Sequence, residues 1–185
     1  SHNASKFIIF QGFLQVHTRA ILSLPMSKPT IYLGGDHAAF ELKKKIVAYL
    51  QGKGYTIKDF GPHKYNPDDD YPDFVIPAAR AVARNKNSLG IAVCGTGDGA
   101  CIVANKVKGI RAVFSNTADI AYSSRHHNNA NVLCLGGGKT KDPTTRGLGV
   151  SFTLAKKILN TWLTTPFSNA PRHLRRLKKI AKIEK

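Results

Sequence analysis

Short β-rich apolar runs alternate along this chain with longer stretches whose apolar positions recur at helical spacing. Thr30 to Leu33 is the first run and leads into Gly34-Gly35-Asp36-His37, after which Leu42, Ile46, Val47 and Leu50 follow a helical period that stops at Gly52 and Gly54. Tyr55 to Asp59 reads as a second strand, and Gly61 to Pro72, with its prolines and the run Asp68-Asp69-Asp70, reads as a loop. Phe74, Val75, Ala78, Ala79 and Val82 mark a helix that reaches about Arg84. A strand at Leu89 to Val93, a helix from about Ala100 to Val107, a strand at Arg111 to Phe114, a helix from Thr117 to Arg125 and a strand at Asn131 to Leu135 complete the alternation. Gly136 to Gly149 is a Gly/Thr-rich loop. A helix through Phe152, Ile158 and Trp162 follows, and a last basic helix starts near Pro171.

Strands separated by helices predict an α/β fold: one doubly wound, Rossmann-like domain with a five-stranded parallel sheet, helices on both faces and a C-terminal basic helix. In such sheets ligands bind beyond the carboxyl ends of the strands, near the switch in strand order. Asp36-His37, Cys94 and the segment after Thr117 are expected to converge there.

With 185 residues, 42% of them hydrophobic, the chain suits one sizeable core rather than two domains. Residues 30–185 form the expected domain. Residues 1–29 form an extension with Lys6, Arg19 and Lys28 and no acidic residue before Asp36. It reads as an added, non-catalytic segment upstream of a start at Met26, or as an organelle-targeting one. Three cysteines, Cys94, Cys101 and Cys134, fit neither a disulfide framework nor paired metal ligands, which points to a reducing, cytoplasmic compartment, or an organelle if the extension is a targeting segment. No apolar run approaches the roughly 20 residues of a membrane span. The net charge of +17 attracts anions such as sugar phosphates or nucleic acid without choosing between them.

Candidate chemistry centres on Cys94-Gly95-Thr96-Gly97-Asp98-Gly99. A glycine-rich loop between a strand and a helix can aim several backbone N–H groups at a developing negative charge, and the helix end favours thiolate over thiol. Cys94 is thus either a reactive thiol or an inert core residue. The loop lacks the spacing of a dinucleotide fingerprint and of a P-loop. Asp36 and His37 could bind a sugar hydroxyl or move a proton, or Asp36 could cap the following helix. In Ser124-Arg125-His126-His127-Asn128-Asn129, adjacent imidazoles without a carboxylate at ligand spacing do not make a metal site, though one of them suits acid/base work. Arg172 and Arg176 share a helix face and can fork a phosphate, lie solvated, or touch a nucleic-acid backbone. Little aromatic interleaving argues against the last.

Taken in order, Gly35-Asp36-His37, Asp70-Tyr71-Pro72, Cys94-Gly95-Thr96-Gly97, Ala104-Asn105-Lys106, Gly109-Ile110-Arg111-Ala112, Ser124-Arg125-x-His127-Asn128-x-x-Asn131-Val132-Leu133 and Arg172-His173-x-x-Arg176 closely resemble ribose-5-phosphate isomerase type B. That family also holds the galactose-6-phosphate isomerase subunits. The resemblance spans about residues 30–185. It implies interconversion of ribose 5-phosphate and ribulose 5-phosphate through an enediolate, as in the pentose phosphate pathway, with no metal and no cofactor. It makes Cys94 the base, gives the enediolate oxygen to the backbone of Gly95 to Gly99, lets Thr96 assist the loop and has His127 open the sugar ring. Asp36 and Asn128 would bind the sugar, and His37, Arg172 and Arg176 the phosphate, with Gly35, Gly97, Asp98 and Gly99 lining the site. It also implies a homodimer whose sites combine both subunits, with a tetramer as the next assembly, and no membrane or nucleic-acid partner.

Two features depart from the family. Where it commonly has a phosphate-binding arginine, this chain has Gly136-Gly137-Gly138, then Lys139 and an insertion, so Lys139, Lys141 or Arg146 would have to serve. Asp98 places a carboxylate in the anion loop, tolerable only if it points outward. An isomerase of six-carbon sugar phosphates is the alternative activity, and a basic nucleic-acid-binding module on an inactive scaffold a more distant one.

Overall fold

A computed structural model describes residues 28–138, 143 and 147–184. Five strands, β1 (Thr30–Gly35), β2 (Ile57–Asp59), β3 (Ser88–Cys94), β4 (Ala112–Phe114) and β5 (Val132–Gly136), form one sheet in the order β2-β1-β3-β5-β4. Every pairing is parallel. The helices are α1 (Phe40–Gly52), α2 (Tyr71–Arg84), α3 (Asp98–Asn105), α4 (Ala118–Asn128), α5 (Phe152–Thr164) and α6 (Pro171–Ala181). The α/β class, the parallel sheet and the terminal basic helix follow the sequence reading.

Strand side chains point alternately to the two faces, and here each parity has its own helical layer. Ile31, Leu33, Ile91, Val93, Leu133 and Leu135 pack against Leu42 and Ile46 of α1 and Ile158, Leu159 and Trp162 of α5. The other parity brings Ala92, Cys94, Val132 and Cys134 against Val75 and Ala79 of α2 and Ala100 and Ala104 of α3. Both faces are dry, which is why the central strands read as continuous apolar runs.

Element boundaries shift at turns whose chemistry differs from their composition. The segment ending at Pro72 reads as loop, yet α2 begins at Tyr71, because proline fits a first helical turn where its missing N–H is not needed. α3 begins at Asp98, two residues early, on Gly97 at φ 95°. Lys43 is 1% exposed on the core side of α1. Its ammonium meets Asp59 of β2 at 2.8 and 2.6 Å, which satisfies an otherwise costly buried charge.

Candidate active site

The order β2-β1-β3 means the chain leaves β1 toward one side of the sheet and later returns on the other. A crevice therefore opens between the carboxyl ends of β1 and β3. Register pairs Gly35 with Val93 there, so Asp36 and Cys94 emerge side by side. Contact is close: a Cβ on Gly35 would lie 2.5 Å from the Val93 carbonyl oxygen. On the far side Gly137 and Gly138 strap the loop down, donating to the carbonyls of Cys94 at 2.7 Å and Gly95 at 2.8 Å.

Cys94 faces the layer of α2 and α3 and is 4% exposed. The Gly97 amide donates to its sulfur at 3.2 Å. Burial pushes the thiol above its ordinary value, the amides of Ala100, Gly97 and Thr96 pull it down, and the carboxylate of Asp36 pushes it up again. The direction is opposite to the expected thiolate: three amides act on the sulfur, but the desolvation that accompanies a dry strand end outweighs them. Cys94 is thus buried, as the core alternative has it, with one amide donating to its sulfur.

Asp36 is buried, and its Oδ1 accepts the Ala38 amide at 3.1 Å, capping the 3-10 turn His37–Ala39. Burial raises its carboxyl, the neighbouring His37 lowers it and Asp69 raises it. The capping alternative holds, and the carboxylate's charge still acts on the Cys94 thiol. His37 is fixed by a residue the sequence reading passed over. Asp69 Oδ1 accepts both the His37 amide and ring Nδ1 at 2.8 Å, which fixes the ring's orientation. The acidic run Asp68-Asp69-Asp70 was the available signal. Thr96 Oγ1 accepts the Asp98 amide at 3.3 Å, and exposed Asp98 is the first residue of α3, turned out of the anion loop. Gly99 sits against Tyr71, whose ring a Cβ would meet at 2.8 Å.

The third cluster does not converge. Thr117 caps α4 at the carboxyl edge, but α4 runs back down the sheet, and His127 lies about 15 Å further along at 1.5 Å per residue. There Arg111, at the start of β4, donates to the carbonyls of Asn128 and Asn129 at 3.1 and 2.8 Å. His127 and Asn128 are exposed, and the His127 ring packs 4.8 Å from that of His173 in α6. His173 is buried. Its Nδ1 bonds Ser168 Oγ at 2.6 Å while Nε2 accepts Arg172 Nε at 3.2 Å. Desolvation and the positive charge of Arg172 lower its pKa, so the ring stays neutral and keeps that acceptor. Arg172, Arg176, His127 and Asn128 thus form a second polar group at the opposite edge from Cys94. Lys139, Lys141 and Arg146 lie outside the described residues.

Cys101 and Cys134 are not equivalent core residues. Cys134 is fully buried and its thiol pushed well above the usual range by desolvation. Half-buried Cys101 is lowered, chiefly by a hydrogen bond from Cys134. Among the described residues no three of His, Cys, Asp and Glu gather as metal ligands, and no helix is long and apolar enough to cross a membrane.

Against known proteins, the Ribose/Galactose Isomerase family profile matches residues 31–180. Ribose-5-phosphate isomerase B of Mycolicibacterium paratuberculosis is 42% identical over 155 residues, 84% of this chain and 91% of that protein. The D-erythrulose-4-phosphate isomerase of Pectobacterium atrosepticum is 41% identical over 138 residues, 75% of this chain and 84% of its own. Among solved structures, ribose-5-phosphate isomerase B of Clostridium thermocellum superposes with a TM-score of 0.75 at 41% identity, covering 84% of this chain and 97% of that one. The Mycoplasma genitalium enzyme with bound ribulose-5-phosphate gives 0.75 at 38%, covering 84% and 95%. Profile, identity and superposition agree with one another and with the α/β fold: this chain belongs to the ribose/galactose isomerase family.

Proposed function

We propose that the protein is an aldose-ketose isomerase that interconverts D-ribose 5-phosphate and D-ribulose 5-phosphate, and that a second copy of the chain completes its site. The isomerase unit is the single domain of residues 30–185. The observation that carries the reading is the sulfur of Cys94, held at 3.2 Å by the Gly97 amide at the end of β3 and bordered by Asp36.

Once deprotonated, Cys94 takes the proton from C2 of the open-chain aldose. The electron pair moves to form the C1–C2 double bond, and charge collects on O1, which the amides of the Gly95 to Gly99 loop stabilise; losing one such donor costs about a hundredfold or more. A proton passes from O2 to O1, the sulfur returns its proton to C1, and the carbonyl re-forms at C2. Bond changes and protons balance within the substrate, so the step needs no cofactor. Asp36 and Asn128 hold the sugar hydroxyls, and His127 opens the ring by acid/base transfer at its oxygen. His37, oriented by Asp69, joins Arg172 and Arg176 on the phosphate. The free thiols of Cys94, Cys101 and Cys134 suit a reducing, cytoplasmic setting.

His127 and Arg172 cannot reach Cys94 of the same subunit from the opposite edge, so the geometry favours a dimer in which each carboxyl edge meets the other subunit's α4 and α6 ends. Complementation tests this. Cys94→Ala and His127→Ala are each inactive alone, but a refolded equimolar mixture recovers about a quarter of parental turnover, because half the dimers carry one intact site of two. No recovery, with mixed dimers verified by mass, refutes the shared site. Near-normal turnover of Cys94→Ala refutes the base. A relative named for a four-carbon substrate makes chain length an open specificity axis. Comparing kcat/KM for four-, five- and six-carbon sugar phosphates sets it, and a preference for any but ribose 5-phosphate overturns the substrate assignment.

A further inference from the structure

At the amino edge of the sheet, away from Cys94, a polar recess of about 280 Å³ opens among Asn85, Lys86, Ser88, Arg111, Arg125 and Asn131. A neighbouring recess shares Lys86, Ser88 and Arg125 and adds Lys28. Neither is lined by an Asp or Glu. Its two guanidiniums are held by neutral groups: Arg125 Nη1 donates to Asn129 Oδ1 at 3.1 Å and the Ala130 carbonyl at 2.6 Å, and Arg111 to the Asn129 carbonyl. These bonds fix direction without cancelling charge. Arg125 Nε is buried and has no hydrogen-bond partner. Among the described residues the carboxylate that acts on Arg111 is that of Glu184, whose Oε1 accepts the Gly109 amide at 3.0 Å. It does not line the recess.

Paired guanidiniums placed side by side, short of counter-charge and partly desolvated, are an unfavourable arrangement that an anion would relieve. Burial disfavours the charge on both, and on Arg125 the positive Arg111 adds to it. The volume lies just below the usual range for drug-sized ligands, which limits the occupant to a small one. Planar N–H forks match tetrahedral oxyanions. We propose that this amino-edge recess binds a small phosphate-type oxyanion through Arg125 and Arg111, with Lys86 at its mouth. The site is separate from the crevice at Cys94 and does not depend on the activity assigned there.

Trp162 provides the readout, since it is the sole tryptophan and the Arg125 guanidinium lies 5.5 Å from its ring centre. The intact protein is titrated with inorganic phosphate and, separately, glycerol phosphate at ionic strength fixed with chloride, following Trp162 fluorescence and the unfolding midpoint. A saturable change is expected with at least one of them, and whichever binds tighter identifies a free ion or a phosphomonoester as the occupant. Lys86 is exposed, so Lys86→Glu should fold normally yet weaken binding about tenfold or more, as loss of a charged contact does. Arg172→Ala should leave this binding unchanged. The proposal is overturned if neither readout moves beyond the chloride control, if Lys86→Glu has no effect, or if Arg172→Ala abolishes the response.

Discussion

Gly97→Ala tests whether the shape of the amide ring, rather than its composition, makes the site. Gly97 has φ 95°, beyond the left-handed well that already costs a residue with a Cβ about 1–2 kcal/mol. An added Cβ would meet the Phe114 ring at 2.7 Å and the backbone carbon of Leu135 at 2.9 Å. Phe114 could turn, but the Leu135 backbone is pinned in β5 between β3 and β4, so overpacking adds about 1–3 kcal/mol. The sum, about 2–5 kcal/mol, corresponds to a midpoint lowered by roughly 4 to 20 °C in a domain of this size. Relief of that strain by shifting the loop would carry the Gly97 amide away from Cys94, with about a hundredfold loss in kcat. Circular-dichroism melting and turnover of the folded fraction measure both. Gly52→Ala, where a Cβ meets nothing within 4 Å, is the control and should be neutral or slightly stabilising. A midpoint within a degree of the parent would refute the steric argument. A lowered midpoint with unchanged kcat would refute the catalytic one.

Asp36→Asn keeps an acceptor for the Ala38 amide but removes the negative charge beside the sulfur, so the pH midpoint for alkylation of Cys94, read on its own peptide, should fall. An unchanged or higher midpoint contradicts the assignment. Lys43→Ala leaves Asp59 without its partner and should cost about 3 kcal/mol in urea unfolding, with Lys43→Met costing less because it keeps the volume. Equal losses for the two would mean that the lost charge, not packing, carries the whole cost, and a negligible loss for Lys43→Ala would refute the role of the ion pair. His173→Ala frees Arg172 from its acceptor and should raise KM for the sugar phosphate several-fold with kcat little changed. A fall in kcat alone would contradict a positioning role.

The strands and helices were legible because both faces of the sheet are dry and each crossover helix keeps one apolar stripe. Cys94, Asp36 and Gly97 could be placed because each sits directly at a strand end, where sequence order and spatial order coincide. Thiol ionisation could not be read the same way. A glycine-rich loop announces its amide donors, but desolvation depends on what α2 and α3 lay over the sulfur, a long-range property absent from the local motif. Asp69 was missed for a related reason. Its partner His37 is 32 positions away, and only the path of the Gly61-to-Asp70 loop brings them to 2.8 Å. His173 stood inside a quoted motif without a role, because its partners Ser168 and Arg172 define it through ring nitrogens rather than spacing.

The expected convergence at one edge failed for a reason built into every parallel βα unit. A helix that follows a strand must return antiparallel to it, so a residue at the helix start shares the strand's carboxyl edge and one at the helix end is carried to the other. Thr117 and His127 are the two ends of α4 and are separated in this way. Sequence proximity to a site-forming turn therefore says little about residues three helical turns later. The exposed His127, Asn128, Arg172 and Arg176, set beside a buried and neutral His173, are arranged to face outward from their own subunit. Under the proposed mechanism, a crevice that offers Cys94 and its amides and an opposite edge that offers His127, Arg172 and Arg176 would be complementary halves. Two copies related by a two-fold axis can satisfy both at once, because the same pair of patches then meets twice.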